Sequence, residues 1–111
     1  MAKTINIAYK GKDYTLEFNR NSVKALERSG FNIAEIASKP VSTIETLFHG
    51  ALKMHHPAIS REKAMDIYDT LNHKDELVSK VVELYGSVVE ELTGAAEEAG
   101  VEGNANWDAS F

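Results

Sequence analysis

Large apolar residues alternate with polar ones or alanine through TINIAYKGKDYTLEF, close to the start of the chain. Side chains of a strand point alternately to opposite faces, so Ile5, Ile7 and Tyr9 share one face of a first strand. Tyr14, Leu16 and Phe18 share one face of a second. A two-residue turn at Gly11 and Lys12, with glycine first as a type II′ turn requires, joins the two. That turn pairs Tyr9 with Tyr14, Ile7 with Leu16 and Ile5 with Phe18, and it makes a hairpin over 4–18. A one-residue slip would scatter the apolar set over both faces. A lone hairpin is marginal in water, so this face needs a lid.

Beyond residue 19 the spacing changes to that of helices. Asn19 is placed to cap a short helix that turns Val23 and Leu26 inward, and Gly30 suits the left-handed position at its end. Phe31 then falls where a Schellman motif sets an apolar residue against Leu26. Asn32 caps a further short helix, which Pro40 ends, and Ser42 to Glu45 reads as a capping box for the next. Ile44, Leu47, Phe48, Ala51, Leu52 and His55 keep the helical period until His56 and Pro57 stop it. Ser60 opens another helix with Ala64, Ile67, Tyr68 and Leu71 on one face. The longest helix is expected over 75–99. Val78, Val81, Tyr85, Val88, Leu92, Ala95 and Ala99 form a heptad-like seam along it, flanked by Leu77, Val82, Leu84, Val89 and Ala96. Gly86 and Gly94 interrupt it, marking either close packing or a weak distal end.

The pattern therefore predicts a mainly helical α+β fold: an N-terminal β-hairpin packed on about five α-helices, the last one longest. The expected domain spans 1–99, with helices over 20–99 and a flexible C-terminal tail over 100–111. That tail, GNANWDASF at its end, carries the only tryptophan, Trp107, together with Phe111. Either it docks back on its own domain, or the two aromatics are anchors for another molecule.

With 111 residues the chain makes one domain, able to bury roughly two-thirds of its unfolded surface. Cysteine is absent, which removes thiol, disulfide and zinc-thiolate chemistry. No apolar run is long enough for a signal peptide or a membrane span. A net charge of −5 with scattered Lys and Arg opposes binding to nucleic acid, and the helix IAEIASK lacks the groups a helix-turn-helix reader needs. His49 and His56 are about 10 Å apart along a helix, too far to share a metal ion. Serines at 22, 42 and 60 sit where helix caps belong, and the Glu90–Glu91 and Glu97–Glu98 pairs diverge around the helix. No catalytic, cofactor-binding or metal-binding set is read from these residues.

Four stretches, in this order, carry a resemblance: TLEFNRNSVKALERSGF, LFHGAL, HHPAISREKA and the long terminal helix, followed by GNANWDASF. Together they resemble the tail assembly chaperones of long-tailed, siphovirus-like bacteriophages. That resemblance implies a non-enzymatic protein of the host cytoplasm. It would bind the tape-measure protein, keep it soluble and help recruit tail-tube subunits, without entering the virion. Candidate partner-binding residues are Val81, Tyr85, Val88 and Leu92 on the seam, and Trp107 and Phe111 in the tail. For most of the seam the plainer reading is packing within the chain, and the seam also suits a homo-oligomer; an outside partner is favoured toward Leu92, Ala95 and Ala99. The alternative function is a small adaptor or regulator that binds another protein through the same helix face.

Overall fold

The computed structural model describes residues 3–93 and 107–109. Strands β1 (Ile5–Tyr9) and β2 (Lys12–Leu16) form the hairpin, and helices α1 (Arg20–Arg28), α2 (Pro40–Lys53), α3 (Arg61–Asp69) and α4 (Lys74–Thr93) follow. A third strand, β3 (Trp107–Ala109), joins β1, giving the sheet order β2-β1-β3.

The hairpin turns one residue earlier than expected. Lys10 and Gly11 occupy the loop at φ 50 and 77, both in the left-handed region, as a type I′ turn demands. Its twist matches that of the strands it joins. The register becomes Ile7 opposite Tyr14 and Ile5 opposite Leu16, two residues away from the expected pairing. A shift of two preserves the alternation, so Ile5, Ile7, Tyr9, Tyr14, Leu16 and Phe18 are all buried.

Among the described residues there are four α-helices, not five. The expected short helix before Pro40 is a single 3-10 turn, Ile33–Ile36, with none of its residues fully buried. It runs from the Asn32 cap, whose side chain accepts from the Ala34 N–H at 3.0 Å, toward Pro40. Pro40 opens α2 instead of merely ending what precedes it, because its fixed φ and missing N–H suit the first helical position. Ser42 therefore lies inside the first turn and caps nothing, and Thr43 is buried.

The end of α1 follows the Schellman pattern. Phe31 N–H donates to Leu26 O and Gly30 N–H to Glu27 O, both at 3.1 Å, with Gly30 at φ 95. Its start is a reciprocal box: the Ser22 N–H donates to the Asn19 side chain, and the Asn19 N–H to Ser22 Oγ. Ser60 caps α3 by accepting from the Lys63 N–H at 3.0 Å.

Helix α2 is the centre of the packing, with Leu47, Phe48, Ala51 and Leu52 buried against the sheet, α3 and α4. Leu71 and, from α3, Ala64 and Ile67 close one side. The buried line of α4 is Leu77, Val81, Leu84 and Tyr85, which mixes the expected seam with its flank. A helix packed on its own domain buries a stripe of period 3.6, and that stripe drifts off a heptad seam. Gly86 faces open space, so it marks no close helix approach. The expected extension of this helix over 94–99 lies outside the described residues.

Trp107–Ala109 fall in the stretch that composition marks as tail, yet they pair with β1. Trp107 lies opposite Ile7, on the inner face, and is buried. Its indole N–H donates to the Asn72 carbonyl at 3.1 Å. Two physical needs meet here: the free edge of β1 gains a partner, and a large aromatic leaves water. Phe111 and the other residues of the expected tail lie outside the described residues. The opposite edge of the sheet, on β2, is met by the end of α2 and the chain that follows it. Thr15 N–H donates to His56 Nε2 at 3.2 Å and Glu17 N–H to Ala51 O at 3.0 Å.

Candidate functional site

The six candidate partner residues separate. Val81 and Tyr85 are core. Tyr85 presents its ring at 5.4 Å to both Phe18 and Phe31, edge to face in each case, which ties α4 to the hairpin and to the end of α1. Burial, then the nearby Glu27 carboxylate, pushes the Tyr85 hydroxyl pKa up. Trp107 is buried in the parent domain. Val88 is half-buried and Leu92 is 38% exposed. Of the five that are described, only these two come together at the surface; Phe111 lies outside the described residues.

They line a cavity of about 330 Å³ with Lys3, Phe18, Arg20 and Glu91. Lys3 Nζ donates to Ser87 Oγ at 2.7 Å on its wall. A larger groove, about 500 Å³, lies between α1 and α2. Ala25, Leu26, Gly50 and Met54 line it, and Met54 is 36% exposed. Asn19 borders both cavities, so α1 stands between two open grooves.

Polar groups around the larger groove serve the fold. Ser29 Oγ donates to Leu26 O at 2.7 Å, and His49 Nε2 hydrogen-bonds to Ile59 O at 3.0 Å. Arg61 reaches Glu45 at 3.4 Å and Thr46 at 3.2 Å. His55 meets the Glu17 carboxylate at 2.7 Å, while His56 caps the edge of β2. The histidines are thus spread over separate local contacts. Both grooves are lined by a few apolar side chains, Leu26 and Met54 in one and Phe18, Val88 and Leu92 in the other, among a larger number of polar ones.

The apolar pattern of the long helix carries no sign of the α1–α2 groove. Gly50, an isolated glycine within an apolar-periodic helix, marks only that another element comes close. A Cβ there would come within 3.0–3.3 Å of the Leu26 side chain, so the glycine permits α1 to approach α2. At the end of α4 the apolar line reaches Leu92, which the described residues leave 38% exposed.

No helix among the described residues is long and apolar enough to cross a membrane. No curated protein and no solved structure matches the chain. A family match does span residues 1–111, and on it the chain belongs to the family described as Domain of unknown function (DUF5055).

Proposed function

We propose that this protein is a non-catalytic assembly chaperone of the long-tailed phage type. In this reading it acts in the host cytoplasm, holds the tape-measure protein soluble, assists recruitment of tail-tube subunits and is left out of the finished particle. The observation that carries the proposal is the pair of open grooves on either side of α1, one of them bearing Val88 and Leu92. A long helical partner with apolar stripes fits such a surface by laying one face into a groove, with anchors at helical spacing. The order of motifs from TLEFNRNSVKALERSGF to the C-terminal GNANWDASF supports the same reading. The contact surface differs from the one the seam suggests: Val81 and Tyr85 support the groove from within, and Leu92 and Met54 would touch the partner.

Co-expression with a tape-measure protein, taken from the gene neighbourhood where one is encoded there, tests the idea. Expected is a soluble complex that co-purifies and is lost on Leu92→Glu or Met54→Glu, with the melting temperature of the variants little changed. A tape-measure protein that stays equally soluble without this chain, and never co-purifies with it, would sink the proposal. An unrelated adaptor would instead lack a tape-measure gene as neighbour.

A further inference from the structure

The lysines that lie far apart in the sequence gather at the tip of the hairpin. Lys10 and Lys12 flank Gly11, and the first turn of α3 brings Lys63 beside them. The Lys10 and Lys63 ammonium groups sit 5.4 and 5.2 Å from the centre of the Tyr9 ring. The Lys12 ammonium sits 5.2 Å from that of Tyr14. Ring faces attract cations at this range, so the amines are held in place while remaining exposed. Among the described residues, none of the three forms an ion pair. Asp13 and Glu62 are the chain neighbours of Lys12 and Lys63, so the corner gathers three amines against two carboxylates on a chain of net charge −5.

The amines also border a hollow. A cavity of about 360 Å³ is lined by Lys12, Lys63, Tyr14, His56, Pro57 and Ile59. His56 Nε2 accepts the Thr15 N–H, so a neutral ring carries its proton on Nδ1 and contributes a donor. Its rings and apolar residues form a wall: His56 lies 4.9 Å from Tyr14, and Pro57 and Ile59 continue the surface. The pKa of His56 is lowered, first by burial and then by Lys12 and His55, which fits a positive field at this spot.

We infer that the hairpin-tip hollow between β2 and α3 is a binding site for an acidic segment of a partner protein, with Lys12 and Lys63 receiving carboxylates and Tyr14 and Ile59 receiving the adjoining hydrocarbon. The charge pattern selects this occupant. Three lysines displace too few counterions to hold a nucleic acid against the overall negative charge. An apolar wall beside the amines suits a peptide side chain, whose stem and carboxylate both need a place. The site lies apart from the grooves beside α1, and the inference stands independently of the chaperone reading.

Isotope-labelled full-length protein, titrated with a short peptide of alternating Glu and Gly, tests it by NMR. Amide shifts are expected at Lys12, Tyr14, His56 and Lys63. Replacing every Glu of the peptide by Gln should remove them. Joint substitution Lys12→Gln and Lys63→Gln should weaken binding at least about tenfold, as loss of charge-assisted contacts does, while Lys24→Gln on α1 leaves it unchanged. Both altered lysines are exposed, and an unchanged spectrum away from the tip confirms that the fold is kept. The inference is overturned by the absence of shifts at millimolar peptide or by an equal response to the Gln peptide. Saturation of the same amides by inorganic phosphate alone, or a double variant that binds like the parent, overturns it as well.

Discussion

The two ends of α4 carry similar residues and meet opposite fates. Its first three turns press Leu77, Val81, Leu84 and Tyr85 into the core, and none of the four is more than 6% exposed. Its last turns present Val88, Val89 and Leu92 to a shallow boundary, where Leu92 is 38% exposed. Hydrophobicity along the helix does not distinguish the two halves. What does is the cover that the described residues supply: Phe18 and Phe31 pack on Tyr85, while Leu92, further along, keeps 38% of its surface open. An apolar seam is therefore a statement about demand for cover, and the rest of the chain decides where that demand is met.

The comparison breaks most sharply by truncation. Leu84→Ala empties a fully enclosed site and should cost about 2–5 kcal/mol of unfolding free energy in a denaturant titration. Trp107→Ala removes the buried ring and the bond to Asn72, with an expected loss of about 3 kcal/mol. That variant also separates structural from partner roles. A melting temperature equal to the parent's would mean that the β3 contact contributes nothing to the fold.

Acid should strain the opposite edge of the sheet. The pKa of His56 is depressed below the ordinary value of 6.5, first by burial, then by Lys12 and His55. The unfolded chain then binds the proton more readily, so stability contributed by the neutral ring is present above that value and is lost as pH falls through it. Protonation also turns the acceptor of the Thr15 N–H into a donor. Unfolding measured from neutral to acidic pH should show this decline, and His56→Gln should flatten it in the window around pH 6.5.

Smaller changes probe the boundary between the two ends. Nothing lies within 4 Å of a Cβ built on Gly86, so Gly86→Ala should stabilise the protein by up to about 1 kcal/mol through helix propensity. Destabilisation there would reveal packing on this face. Leu92→Ala should change stability least, within about 0.5 kcal/mol, as exposed substitutions do. Its effect is expected in partner capture instead.

Much of the fold was legible residue by residue. Caps at Asn19, Asn32 and Ser60, the Schellman end at Gly30 and Phe31, and the buried face of the hairpin all follow from local rules that act over a few positions. The hairpin register was misplaced because Gly11 serves either of two turns, and only the joint left-handed geometry of Lys10 and Gly11 selects one. Of the candidate surface, Leu92 and Val88 were legible as the continuation of an apolar line. The groove along Leu26 and Gly50, and the meeting of Lys63 with the hairpin tip, were not. Those depend on residues that approach only after α2 and α3 have packed.

By itself the sequence determined the two hairpin strands, the four α-helices, the caps at Asn19, Asn32 and Ser60, and which of their faces need to leave water, because periodicity and capping are properties of short segments. Tertiary structure decided which apolar residues find cover and which stay open, that Trp107 completes the sheet, and that distant lysines share one corner. Those outcomes depend on which elements reach one another in space, and a local pattern carries no record of reach.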